Sequence, residues 1–269
     1  MTINDTVLPP LVKNERIFDS HAHYDDAAFD ADRDLLLNDM HEYGVCGIVN
    51  NASDIVSARK GLEIAHKYPF IYQAVGIHPE CAASVSDSDL DELERLLGDE
   101  KAVAVGEIGL DYHYEDGAPK ETQQKLFCRQ IELAQRLNKP IIVHDRDAHG
   151  DTFDIIARYK PDGVVHCYSG SVELMREILK LGMYIGVGGV VTFKNARKTV
   201  ECVNELPLDR LLVETDAPYL SPVPFRGKRC CSAMIAYTAD IIAQIKGITR
   251  LEVLKASRNN ANRLFGTRL

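Results

Sequence analysis

The sequence predicts an α/β fold of the (β/α)8 TIM-barrel type, with a metal site at the carboxyl end of the strands. Three observations predict it. Short apolar runs rich in β-branched residues alternate with longer amphipathic segments over 269 residues, about the size of one such barrel. Eight such runs can be counted, and eight parallel strands close most simply as a ring. Five of the eight lead straight into a histidine or carboxylate: His21 and His23 after the first, Glu107 after the fourth, His144 after the fifth, His166 after the sixth and Asp216 after the eighth. A closed ring brings such ends together at one mouth, whereas an open doubly wound sheet would gather them at its switch point.

In chain order, residues 1–15 read as a lead-in broken by Pro9-Pro10, and 16–269 as one metallohydrolase barrel domain. Strands are expected near 16–20, 46–50, 70–75, 102–106, 140–144, 163–167, 183–187 and 211–215, each bounded by Gly, Pro or polar positions. Helices are expected near 30–42, 54–67, 88–97, 120–138, 149–158, 171–181, 195–204, 231–246 and 249–264. The helix at 120–138 carries Leu126, Ile131, Leu133, Ala134 and Leu137 on a broad apolar face and stops before Pro140.

Composition narrows the function classes. No apolar run approaches the roughly 18 residues of a membrane span, and the first residues lack the blocks of a signal peptide, so a cytoplasmic protein is expected. Seven scattered cysteines without a CxxC pair argue for a reducing compartment rather than a disulfide framework. Vicinal Cys230-Cys231 reads best as a loop entering a helix. The net charge of −9 disfavours a broad phosphate-tracking surface, so contact with phosphate would need local positive charge and metal ions. No obligate protein partner is inferred.

The candidate ligands are imidazoles and carboxylates without thiolate, a set that suits divalent Zn, Mn or Mg. His21 and His23 have i, i+2 spacing and share one face of an extended chain, so both can reach one ion. Glu107 lies between Gly106 and Gly109, and its two oxygens can bridge two ions. Asp216 can orient a water and accept its proton. Asp19 and Glu214 are candidates for supporting roles. His78, after the third strand, can reach substrate. Arg146 stands beside the cluster and suits phosphate. Arg226 and Arg229, in a basic loop after the eighth strand, lie where barrels often hold phosphate, and Lys194, Arg197 and Lys198 add charge after the seventh. His41 and His66 fall late in helices and read as surface residues, while His113 and His149 stay unassigned.

The segments Phe18-Asp19-Ser20-His21-Ala22-His23, Gly76-Ile77-His78-Pro79, Val105-Gly106-Glu107-Ile108-Gly109-Leu110-Asp111-Tyr112, Ile142-Val143-His144, His166-Cys167-Tyr168-Ser169-Gly170 and Glu214-Thr215-Asp216-Ala217-Pro218-Tyr219-Leu220, with Asn260 and Arg263-Leu264-Phe265, resemble the TatD-type metal-dependent deoxyribonucleases of the amidohydrolase-like barrels. The resemblance runs from about residue 16 to 266. It implies two divalent ions, one at His21, His23, Glu107 and Asp216 and the other at Glu107, His144 and His166. It implies a hydrolase that cleaves phosphodiester bonds in DNA with a metal-activated water, Glu107 and Asp216 serving catalysis. Two positions depart from the family pattern: Glu80, where a residue friendlier to phosphate is expected, and Cys230-Cys231. The alternative is a barrel metallohydrolase acting on a small amide, lactone or phosphoester.

Overall fold

The computed structural model describes residues 15–269 and, before them, the backbone of Thr2–Ile3 and Thr6–Val7, which pair antiparallel. The expected break at Pro9-Pro10 lies outside the described residues. Eight parallel strands follow in simple order around the sheet: β1 Ile17–Ala22, β2 Val45–Asn51, β3 Ile71–Ala74, β4 Ala102–Asp111, β5 Ile141–Arg146, β6 Gly163–Val165, β7 Tyr184–Val187 and β8 Leu211–Val213. The helices between and after them are α1 Arg33–Asp39, α2 Ile55–Lys67, α3 Asp87–Leu97, α4 Lys120–Arg136, α5 His149–Tyr159, α6 Val172–Lys180, α7 Arg197–Glu205, α8 Ile235–Lys246 and α9 Arg250–Phe265. The ring closes just beyond β8, where Ala217 bridges Ala22 in parallel. The His23 N–H donates to the Ala217 carbonyl at 2.7 Å, and the Asp216 N–H to the His21 carbonyl at 2.9 Å.

Each strand contributes one residue to an inner apolar cluster: Phe18, Val49, Ala74, Ala104, Ile142, Val164, Tyr184 and Leu212. Ala261 and Phe265 of α9 join it, and the Phe18 and Phe265 rings stack at 6.4 Å, so α9 stoppers the amino end of the barrel. A second, larger cluster fills the layer between strands and helices. Side chains alternate along a strand, so a step of two from an inner residue points inward again, nearer the carboxyl end. Ile142 leads to His144, Val164 to His166, and Leu212 to Glu214 and then Asp216. On β1 and β4 the parity is reset by a register irregularity, between Asp19 and Ala22 and between Val105 and Ile108, so that His21, His23 and Glu107 reach the same mouth.

Helix ends follow local chemistry. Asp54, Ser86 and Thr249 each cap a helix with a reciprocal bond from the third residue, at α2, α3 and α9. The expected helix at 231–246 begins later, at Ile235. Ser232–Met234 form a 3-10 turn, with Cys230 and Cys231 wholly buried before it, in keeping with a loop entering a helix. No helix of the described residues is long and apolar enough to cross a membrane.

Candidate active site

The carboxyl ends of β1, β4, β5, β6 and β8 bring His21, His23, Glu107, His144, His166 and Asp216 into one cluster. Glu107 sits at its centre. Its Oε2 lies 3.3 Å from His21 Nε2 and 3.5 Å from His23 Nε2. Its Oε1 lies 2.7 Å from His144 Nδ1 and 2.7 Å from His166 Nε2. Asp216 Oδ1 lies 3.3 Å from His23 Nε2 and 3.7 Å from His21 Nε2. Each oxygen of Glu107 therefore faces a different pair of imidazoles. A group of His21, His23 and Glu107, with ligand atoms all within 4.8 Å of one another, is able to hold a divalent ion.

The outward ring nitrogens decide which nitrogen faces the cluster. His23 Nδ1 is 2.9 Å from the Asn51 carbonyl, which can only accept, so Nδ1 keeps its proton and Nε2 is the nitrogen left to face an ion once its own proton is displaced. His144 is reversed: Nε2 is 3.0 Å from Asp111 Oδ2, and Nδ1 turns toward Glu107. Carboxylate or carbonyl support of this kind orients metal-binding histidines and raises their basicity. His78 differs. Its Nδ1 accepts the Glu80 N–H at 3.2 Å, so its Nε2, 3.9 Å from Glu107 Oε1, carries the proton and is a donor. His78 thus offers an N–H to the cleft, and with Glu107 and His144 it forms a further group whose ligand atoms lie within 4.8 Å of one another.

Electrostatics follow from burial and crowding. Burial opposes charge on His23 and His144, yet the neighbouring carboxylates outweigh it and push them up to about 9 and about 10. Burial likewise opposes charge on Glu107, but the imidazoles around it hold it well below the usual carboxylate range. Burial brings His78 down to about 3, so it stays neutral. A compact knot of shared protons and opposite charges is a site that a divalent cation can enter by displacing protons.

Several supports were not evident in the sequence. Asp111 lies on the strand face of Glu107 and Gly109, four residues on from Glu107, where the sequence assigns it no role. Gln123 and Gln130 of α4 are buried polar residues on its apolar face. Gln130 takes the Ile77 N–H at 2.8 Å and donates to the Ile77 carbonyl at 2.9 Å, clamping the loop that presents His78. Gln123 does the same to Asp111, at 2.8 Å for both bonds. A glutamine seven residues from another amid buried leucines was the available signal. Asp19 does not touch a ligand ring. Its carboxylate accepts the N–H groups of His21 and Thr215 and the hydroxyls of Thr215 and Ser232, tying β1 to the chain beyond β8.

The cluster floors a cleft of about 420 Å³, also lined by Asp25, Asp26, Ser53, Glu80, Tyr114, Arg146 and Tyr219. Arg146 donates to the Tyr114 hydroxyl at 3.2 Å and packs over its ring, within the cleft as expected. Arg226 and Arg229 are not in this cleft. They border an adjoining groove of about 500 Å³ that shares only Asp26 and Tyr219 with it. Arg226 is exposed over the Phe193 ring. Arg229 is tied to its neighbours: its fork grips Asp32 at 2.7 and 2.6 Å and its Nη1 reaches the Ala28 carbonyl at 2.6 Å, which pins the loop after β8. His41 and His66 are exposed and pair with Glu42 and Asp99, and His113 and His149 pair with Asp147 and Asp145.

Comparison with known proteins places this architecture. The family described as TatD related DNase matches residues 18–266. The metal-dependent hydrolase YabD of Bacillus subtilis is 42% identical over 252 residues, covering 93% of this chain and 98% of its own. Among solved structures, YjjV, a TatD homolog from Escherichia coli, superposes with a TM-score of 0.89 at 33% identity, covering 94% of this chain and 99% of its own. A TatD family hydrolase from Entamoeba histolytica gives 0.85 at 26% identity, with the same coverage. With a TIM barrel and histidine–glutamate clusters able to hold metal at its mouth, the chain belongs to the TatD family of metal-dependent hydrolases.

Proposed function

We propose that this hydrolase cleaves phosphodiester bonds in DNA with two divalent ions, Zn, Mn or Mg, one held by His21, His23, Glu107 and Asp216 and the other by Glu107, His144 and His166. The observation that carries the reading is the two-sided Glu107, with one oxygen toward His21 and His23 and the other toward His144 and His166. When bound, such a pair lowers the pKa of a water and neutralises charge on a phosphoryl group. The protein's own groups do the rest. Asp216 is held as a carboxylate despite its burial by His23, His21 and His166, so it can orient a water and take its proton. The neutral His78 donates its Nε2–H to a phosphate or leaving oxygen. Arg146 offers a fork for phosphate from the cleft wall.

The acidic rim of Asp25, Asp26 and Glu80 supports a second reading, a small amide, lactone or phosphoester as substrate. One experiment separates the two. Protein stripped by chelation and reloaded with each ion is assayed on single-stranded and duplex oligonucleotides and on a small ester. Oligonucleotide cleavage that needs the ion supports the nuclease; ion-dependent ester turnover with no oligonucleotide cleavage moves the assignment to the second reading. Full activity in stripped protein rejects both.

A further inference from the structure

Below the metal-binding cluster, three buried polar atoms have no hydrogen-bond partner among the described residues: His21 Nδ1, His166 Nδ1 and Glu214 Oε2. They are not scattered. His21, His166 and Glu214 form one group whose nitrogen and carboxylate atoms lie within 4.8 Å of one another. The two rings stack in parallel, centroids 3.9 Å apart and planes 10° from parallel. Glu214 is held from its other side, where Oε1 accepts the Cys167 N–H at 2.5 Å. The space it occupies is kept clear, since a Cβ on Gly186 would stand 2.4 Å from Oε2.

The other two histidines have their outward nitrogens satisfied, by the Asn51 carbonyl and the Asp111 carboxylate. His21 and His166 face the cluster through Nε2, so each Nδ1 must carry a proton to leave that lone pair free. Two ring N–H groups then face the Glu214 carboxyl group without a direct hydrogen bond, His166 Nδ1 being 3.8 Å from the Oε1 that also takes the Cys167 N–H, while Oε2 stays without a partner. One water meets this pattern: it accepts two N–H bonds and donates to a carboxylate.

We propose that Glu214 is a positioning residue shared by His21 and His166, fixing both Nδ1–H tautomers through one buried water and thereby aiming both Nε2 lone pairs at the metal-binding cluster. The two proposed ion sites are thus supported by a single carboxylate from β8. This rests on the reading of His21 and His166 as metal ligands.

The test uses Glu214→Gln, which keeps the shape and the acceptor for Cys167 but replaces the orphan oxygen with a donor. Zinc affinity is measured by chelator competition, and ring protonation by long-range ¹H–¹⁵N correlation on zinc-loaded protein with labelled histidine. The expected result is a fall in zinc affinity of about 10–100-fold, with the His21 and His166 signals displaced and those of His23 unchanged. Glu214→Asp, which keeps an acceptor within reach of a further water, should retain more affinity than Glu214→Gln; a steric role gives the opposite order. Wild-type affinity and unmoved His21 and His166 signals in Glu214→Gln would overturn the inference. Loss of one whole equivalent of zinc with the rest bound as in wild type would also overturn it, marking the space as a cation site. A wild-type protein that takes up no zinc would instead reject the metal-ligand reading itself.

Discussion

At the residue scale, the cluster depends on side chains held in states they would not adopt alone. Asp216 has φ of 64°, in the left-handed region that Asp and Asn tolerate better than other non-glycine residues. Asp216→Asn should therefore keep the backbone while removing the proton acceptor. The rate should fall by about 10²–10⁴-fold with the fold intact by circular dichroism. A rate within a few-fold of wild type would place the base elsewhere. The raised His23 and His144, at about 9 and about 10, carry protons at neutral pH in the metal-free site. Metal uptake should release protons, and apparent affinity should climb as pH rises from 6 to 8, by up to about tenfold per unit for each proton displaced. Chelator competition at several pH values checks this, and a flat profile would show imidazoles already neutral. The same raised values stabilise the metal-free protein fully below the ordinary imidazole range, and that stability is lost as pH rises through 9 to 10.

At the element scale, strand ends and helices are locked by close contacts the ligands themselves do not make. Gly109 has φ of 146°, and a Cβ there would stand 2.0 Å from the His144 carbonyl oxygen. Gly109→Ala must push β4 from β5 exactly where Glu107 and His144 meet, so bound metal and thermal stability should both drop. Gly150, near the start of α5, has nothing within 4 Å, and Gly150→Ala should be neutral or stabilising by up to about 1 kcal/mol. Equal effects from the two substitutions would remove the argument from close approach. Gln130 illustrates the same principle from a helix. Gln130→Ala strips both partners from the buried Ile77 amide, and each loss of this kind costs about 1–3 kcal/mol. Thermal denaturation should register it, and the Michaelis constant should rise as the His78 loop loosens, with metal content unchanged.

At the scale of the whole molecule, a chain of net charge −9 must bind a polyanion, if it does, through a few local cations. Arg146 is in the cleft and Arg226 over the adjoining groove. Arg146→Ala should lower the salt slope of oligonucleotide binding by roughly 0.7–0.9, with metal content unchanged. Arg229→Ala should behave differently, because it leaves the buried Asp32 carboxylate without its fork. Loss of stability by about 3–5 kcal/mol is expected there, with little change in salt slope in the protein that remains folded. An unstable but binding-competent Arg229→Ala beside a stable, weakly binding Arg146→Ala would establish the division of labour. The reverse pattern would assign Arg229 to the substrate.

What the sequence determined by itself is whatever a one-dimensional period carries. Apolar runs of strand length mark all eight strands, and a histidine or carboxylate just after five of them marks the cluster, although at β1 and β4 a register irregularity, invisible in the sequence, turns those residues inward. Helix starts at α2, α3 and α9 fall within a few residues of those expected, because the caps the structure shows there, Asp54, Ser86 and Thr249, act locally. Only the tertiary structure decided the partners of those side chains. Asp32 meets Arg229 across 197 residues, and Asp19 meets Thr215 across 196, and no local pattern distinguishes such a partner from a solvated charge. Gln123 and Gln130 looked like ordinary helical polar residues until burial showed that their amides replace missing backbone partners. The proton positions on His23 and His78 are likewise settled by a single carbonyl or amide neighbour, and His144 is held between two carboxylates, all brought in by the ring. Hydrophobic patterning specifies where the strands lie; hydrogen-bond partners depend on distances that exist only once the barrel has closed.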